Sequence, residues 1–480
     1  MEEFITFDKV LFIREKREYS LPSYTTSLHG TSAISQQKGR DNKVKIFIND
    51  EFGPESSAMM QALYSRSSAS VEKHIEQVRK AGSSNFMKSY YVGYGHASIG
   101  DCGTTTLFLE GVSILAAKAI QDNPLYSGQE TSTRYIDFSS QPLIDPVSTE
   151  ESQDILKDWI KFYTTSTEVV RSYLKDRFPL EPGQQPNIWK KAINARGFDI
   201  LRGFLPAGAT TQLSWSTNLR QAYDKLCLLK LHPLNEVRLI AEAALKKLST
   251  KYPSSFSHTQ KDETEKYYNR FSKKIHYSSY TPSLSEEDFL YRTDIDNKLL
   301  EDKEHEVIGL RPKGALLPRY ISKYGRYNCT FLLDYGSYRD LQRHRNGLCR
   351  LPVLTINYGF NQWYLNQLPA ELRNQANILI KKQFHRIKEL TKRHSLSSAE
   401  TQYYIPMGSN IVCELVYDLP EMVYVVELRS SSTVHPTLRR IAHNMYNTLK
   451  NNHPALKLHA DLSRDKFEVK RGLQDIEKIN

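Results

Sequence analysis

Apolar positions along the chain fall into runs of helical spacing, separated by prolines, glycines and polar stretches. Ser56–Ala81 carries the first run, including Val71, Ile75 and Val78, with Gly82 as its stop. Glu110–Gln121 sets Val112, Leu115, Ala116 and Ala119 at the same spacing and predicts an amphipathic helix. Asn123–Pro124 ends it, because the residue before a proline is pushed out of the α region. Glu150–Phe178 predicts one or two helices on Ile155, Trp159, Phe162, Val169 and Tyr173, and Pro179, Pro182 and Pro186 mark the loop that follows. Val237–Leu248 predicts another helix, with Ile240, Ala241, Ala244 and Leu248 on one face. Pro369 opens a long amphipathic helix carrying Leu372, Ala376, Leu379, Ile387 and Leu390. Ser32–Lys45 reads as a polar loop or arm. Residues 250–300 read as a polar connector, helical around Glu263–Phe271.

Beyond Pro124, threonine, serine and aromatic residues favour an extended path. There Glu130, Ser132 and Arg134 fall at i, i+2 and i+4, on one face of a strand-like segment. A carboxylate, a hydroxyl and a guanidinium sharing one space suit a polar, phosphorylated ligand, with arginine as a fork for phosphate. A solvated edge strand produces the same alternation, and spacing alone does not choose between the two.

The second half repeats the first at low fidelity. FLLDYGSYRDLQRHR (Phe331–Arg345) can be laid over LFLEGVSILAAKAIQDN with a gap of about one helical turn. His435-Pro436, then Arg439, Ile441 and Ala442, echo His232-Pro233, then Arg238, Ile240 and Ala241. Two helices at a common 3.6 period can also match by chance.

A chain of 480 residues exceeds the usual size of one core, so two domains of about 200 residues or more are expected. Apolar content of 39% and charged content of 25% are those of an ordinary soluble protein, and no apolar run approaches bilayer length. The amino terminus MEEFITFDKV does not read as a signal peptide. Five scattered cysteines without a CxxC pair read as reduced thiols in a cytoplasmic protein, and no HExxH or clustered His/Cys spacing suggests a metal. The net charge of +11 fits anionic partners, either nucleic acid or small phosphorylated substrates. Acids interleave with the bases, and no nucleic-acid reading module accompanies them, which disfavours nucleic acid.

Ser127-x-x-Glu130-x-Ser132-x-Arg134-Tyr135 resembles the latter part of the flavin-dependent thymidylate synthase motif, Arg-His-Arg followed by Ser and Glu-x-Ser-x-Arg-Tyr. The upstream GHASIGD and TLFLEGVS are similar to the family's Gly-His-x-Ser stretch and the helix after it. Arg202, Leu205-Pro206, Trp215, Asn218 and Arg220 resemble a second family block, and His232, Glu236 and Arg238 a third, so the resemblance spans roughly residues 85–250. Two departures stand out: Asp122-Asn123-Pro124 replaces Arg-His-Arg, and Asp101-Cys102 replaces Glu-His. The missing tripeptide occurs in the second half as Arg343-His344-Arg345, without the Glu-x-Ser-x-Arg-Tyr that should follow. Gln402 stands there in place of the nucleotide-binding arginine, and Glu427-Leu428-Arg429 resembles a further family segment. Without the resemblance, Arg343–Arg345 would read as a solvated basic helix end.

The resemblance implies an α+β fold of two tandem modules, each a curved, mostly antiparallel sheet with long helices. The modules would be residues 1–255, carrying the nucleotide site, and residues 301–480, carrying Arg-His-Arg, joined by the connector 256–300. It implies a composite site. Ser127, Glu130, Ser132, Arg134, Arg202 and Arg429 would hold the nucleotide, with Ser127 and Arg134 nearest the chemistry. Arg343, His344, Arg345, Asn218 and Arg220 would contact FAD. The implied reaction is reductive methylation of dUMP to dTMP, with methylenetetrahydrofolate and NADPH as co-substrates, by a homodimer that mimics a four-module assembly. The lost first-half residues leave open a non-catalytic or altered-substrate descendant.

Overall fold

The computed structural model describes residues 51–463, except residues 66, 68–70, 95, 135, 259–261 and 279. The Ser32–Lys45 arm and the motif's Tyr135 lie outside the described residues. The chain forms two compact units. One holds the described residues up to Thr104, with Asn218–Arg220 and Lys251–His258; the other holds the remainder.

In the smaller unit the helical run at Ser56–Ala81 is two helices, Pro54–Tyr64 and Val71–Ala81. Met59, Met60 and Val78 form its core, with Leu63, Val71 and Ile75 packed against them. Gly82 takes φ +65°, the left-handed stop its position predicts.

The larger unit is α+β, with long helices and two small sheets. Strands β1 (Thr104–Ser113) and β2 (Thr210–Asn218) form a pair. The second sheet has the order β3 (Phe289–Thr293), β4 (Arg326–Asp334), β6 (Asn410–Asp418) and β5 (Leu348–Cys349). Its neighbours are antiparallel, with Phe289 opposite Phe331, Phe331 opposite Cys413 and Leu348 opposite Val416. Glu150–Arg177 is one helix and Ala370–Arg393 another. The two meet through Asp158 and Arg386 at 2.9 Å and Gln383 Nε2 and the Ile155 carbonyl at 3.3 Å. The connector is less empty than its polarity suggests: it holds helix Asp262–His276 and strand β3.

The helix expected over Glu110–Gln121 begins only at Ile114. Threonine-rich Thr104–Ser113 is strand, and the Ser113 hydroxyl accepts from the Ala116 amide at 3.0 Å to cap the helix. Ile114–Gln121 is buried on every face, so it is not amphipathic. One of its residues is Lys118, a fully buried ammonium.

Two sets of matching local contacts, one from each half of the chain, meet at one corner. Pro206 and Pro406, 200 positions apart, bridge to each other. The Ala207 amide donates to the Ile405 carbonyl and the Met407 amide to the Leu205 carbonyl, both at 2.9 Å. Ile114 donates to the Ala209 carbonyl, and Tyr335 to that of Ser409. Asp334 caps the helix Tyr335–Leu341 as Ser113 caps its counterpart, 221 positions earlier. Ser127 bridges to Ser216, and Leu348 pairs with Val416. With these anchors the two segments align without the gap expected from sequence, and Arg343–Arg345 takes the place of Asp122–Pro124.

Gly128 lets the 127–130 segment lie against β2: a Cβ there would stand 1.9 Å from the Ser214 carbonyl oxygen. Gly128→Ala is therefore expected to peel this segment from the sheet, at a cost of about 1–3 kcal/mol. A lowered urea midpoint with unchanged slope would register it.

Candidate functional site

The extended path beyond Pro124 exists, but its side chains do not share one face. Ser127 and Glu130 bridge to β2, whereas Thr133 and Arg134 form a turn. Ser132 is drawn into that turn, its hydroxyl accepting from the Arg134 amide at 3.3 Å. Ser127 is exposed.

Glu130 is fully committed within the protein. Arg339 reaches one carboxylate oxygen at 2.5 Å; Lys118 at 2.8 Å and Gln121 at 2.9 Å reach the other. Burial alone would raise its pKa, but Arg339 and Lys118 outweigh burial and hold the carboxyl at about 2. Burial lowers Lys118 to about 8 despite Glu130. Lys118 and Arg339 stand at corresponding positions after the two helix caps, so one acid of the first half ties both halves together.

Arg134 and Arg202 belong to a second network. Arg134 donates to Asp199 at 2.7 Å and to the Thr433 carbonyl at 3.0 Å. Arg202 is buried and donates to Ser337 Oγ at 3.0 Å. That hydroxyl also meets Thr437 Oγ1 at 2.7 Å and His435 Nδ1 at 3.1 Å. Arg202 Nε is buried with no hydrogen-bond partner among the described residues. Arg429 donates through Nε to His344 Nε2 at 2.8 Å and through its other arm to the Asp340 carbonyl at 2.8 Å. His344 therefore carries its proton on Nδ1, which faces Glu421 at 3.9 Å. Burial first, and Arg429 next, push His344 down to about 3, so it is neutral.

Asp340 lies within electrostatic reach of these groups. Burial opposes its charge, but Arg202, Arg134, Arg429 and Arg343 hold it at about 2. Four of the arginines named from sequence, two from each half of the chain, thus act electrostatically on one carboxylate, and Arg429 also holds the Asp340 backbone carbonyl. Arg343 sits 3.9 Å from Asp340, its side chain 46% exposed, at the rim of the group. Arg345 lies over the Tyr126 ring, 4.9 Å from its centre, and reaches the Gln121 carbonyl at 3.5 Å. Asn218 and Arg220 belong to the smaller unit, where Arg220 makes a two-pronged ion pair with Asp101 at 2.8 Å.

Sequence reasoning did not single out Asp340, Asp199, Lys118, Arg339 or Ser337. One signal was available: Lys118 is the sole charge in ILAAKAIQ, and a lone charge in an apolar helix marks a buried pair. Asp199 and Asp340 carry no such mark, since Asp199 meets Arg134 from 65 positions away and Asp340 acts on Arg202 from 138.

These arginines and the acids between them form one electrostatic network that draws on both halves of the chain. Residues 48–254 match the family model described as Thymidylate synthase complementing protein, a span that encloses the stretch whose motifs resemble that family. The chain as a whole is similar to the UPF0159 protein of Chlamydia muridarum (strain MoPn / Nigg), at 26% identity over 457 residues covering 81% of this chain and 84% of that protein. A UPF0159 protein of Chlamydia pneumoniae is 25% identical over 421 residues, covering 76% and 77% of the two chains. One of Thermoplasma acidophilum is 23% identical over 441 residues, covering 78% and 87%. No helix among the described residues is long and apolar enough to cross a membrane.

Proposed function

We propose that the chain is a tandem, flavin-dependent thymidylate synthase-like enzyme that binds dUMP at the arginine cluster and methylates it to dTMP. The carrying observation is that Arg134 and Arg202 of the first half and Arg343 and Arg429 of the second all favour the charged form of one buried acid, Asp340, which Arg343 meets at 3.9 Å and whose backbone carbonyl Arg429 holds at 2.8 Å. Arginine forks pair with phosphate and with the carbonyl oxygens of a pyrimidine, and fixed positive charge favours the enolate character a uracil gains as its ring accepts a carbon. Arg202 offers the unpartnered Nε, while Asp199 and Ser337 fix the two guanidinium planes. Ser132 and Glu130 serve the site indirectly, one shaping the Arg134 turn and the other locking the halves.

The fit to FAD is partial. Arg343, exposed at the rim, can meet a flavin or its phosphates. His344 faces inward to Arg429 and Glu421, so its part is to hold Arg429 rather than to touch an isoalloxazine ring. When bound, FAD would supply the redox chemistry, with NADPH recharging it and methylenetetrahydrofolate giving the carbon. The inward turn of His344 also favours a second reading, a descendant that binds nucleotide without flavin chemistry.

Product analysis of full-length protein with dUMP, methylenetetrahydrofolate, NADPH and FAD tests the first reading. It should yield dTMP, and Arg134→Ala should reduce dTMP formation at least a hundredfold. Binding of dUMP with no dTMP formed would leave only the second reading.

A further inference from the structure

The internal correspondence gives every residue of the arginine cluster a counterpart, and the two sets differ in kind. Along the offset of 200, Gln402 stands for Arg202 and Leu229 for Arg429. Along the offset of 221, Ala119 stands for Asp340 and Asp122 for Arg343. Counting on from the Ser127 and Leu348 anchors, Thr355 stands for Arg134. All four arginines and the central acid have been exchanged for neutral or opposite groups.

What surrounds Gln402 completes the contrast. Arg202 keeps a buried donor with no partner, whereas Gln402 has none to spare. Its amide nitrogen meets Tyr277 Oη at 3.2 Å and the Ala399 carbonyl at 3.1 Å, and its oxygen accepts from the Leu354 amide at 2.8 Å. Tyr277 comes from the connector, directly after helix Asp262–His276. It is buried, as is His276, and both rings pack on His232, the counterpart of His435, at 5.5 and 4.4 Å between centres. The Ser278 amide then donates to the Leu351 carbonyl at 2.8 Å, and Arg350 holds the Tyr277 carbonyl at 2.6 Å. The connector thus seals this position with its own side chains and backbone. A phosphate there would meet none of the four exchanged guanidiniums: Arg350 already donates to the Lys274 and Tyr277 carbonyls and Lys225 to that of Asp122, and Gln402 and Tyr277 would have to be unpaired first.

We propose that each chain holds one nucleotide site, formed by residues of both halves of the same chain, and that the position related to it by the internal repeat is closed by the connector residues His276 and Tyr277. The inference rests on the nucleotide reading of the arginine cluster. It makes the duplicated chain an asymmetric one, in which one of two related sites has become a structural joint.

Equilibrium dialysis of the full-length chain against labelled dUMP, at saturating concentration, decides the matter. The expected result is one dUMP per chain, and its loss in Arg202→Gln, which places the counterpart's residue in the site. Arg429→Leu, a change nearer the surface, repeats the test should Arg202→Gln fail to fold, and should weaken binding at least tenfold. Two dUMP per chain, or one retained at full affinity in either folded variant, would overturn the single-site inference while leaving nucleotide binding intact. No binding by the wild-type chain would overturn the nucleotide reading, and this inference with it.

Discussion

Glu130→Ala is expected to lower the free energy of unfolding by about 3–5 kcal/mol, because it strips the counter-charge from two buried cations at once. Lys118 is fully buried and Arg339 nearly so, and Glu130 is the acid that both reach. Neither cation can turn to water without dislodging its helix. Lys118 can escape only by losing its proton, and burial has already lowered it to about 8. The loss in the variant should therefore be smaller at pH 9 than at pH 7, where discharging the ammonium costs more. Urea unfolding of both proteins at the two pH values measures this. A loss under 1 kcal/mol at pH 7 would mean that Glu130 does not lock the halves and stands free for a ligand.

Mild acid should destabilise the protein well before its carboxylates titrate. Among the described residues, burial holds five histidines neutral: it drives His232 to about 2, His344 to about 3, His276 and His453 to about 4, and His435 well below the ordinary value. In the unfolded chain each titrates near 6.5. Between 6.5 and the folded values the unfolded state binds more protons, so stability is complete above about pH 6.5 and falls as the pH drops. By pH 5.5 the loss is on the order of 1 kcal/mol per histidine and several kcal/mol over the five. Glu130 and Asp340, each held at about 2, add their own losses only below the unfolded carboxylate range. Glu421 and Asp122, raised by burial, act in the opposite direction as they take up protons. Melting temperature should fall steadily from pH 7 to pH 5.5. A flat profile over that range would contradict the burial of these rings.

Helices with a clear apolar face were legible in the sequence. Ala241, Ala244 and Leu248 line the inner side of one, as their spacing predicts, with Val237 buried beside them and the expected Ile240 only half-buried. Leu372, Ala376, Ile387 and Leu390 line another, with Ile380 buried where the spacing predicts Leu379. Glu110–Ser113 was misread because Val112 happens to fall at helical spacing, while the threonines before it and the Ser113 cap decide for strand. The arginines of the site were legible through motif resemblance. Their arrangement was not, because alternation along Glu130–Arg134 assumes a straight strand and Ser132 instead bends the chain back on itself. His344 shows the same limit: its residue type suits a ligand contact, but only the fold turns the ring toward Arg429.

The corner at Pro206 and Pro406 carries a consequence for how the chain reaches its final form. Its backbone hydrogen bonds join partners about two hundred residues apart, and each side supplies amides for the carbonyls of the other. A nascent first half emerging from the ribosome finds no acceptor for the Ala207 amide and no donor for the Leu205 carbonyl until residues 405–407 have been synthesised. Loop closure over so long a span is entropically slow, which places this joint among the late steps of folding and leaves the waiting half dependent on protection from aggregation.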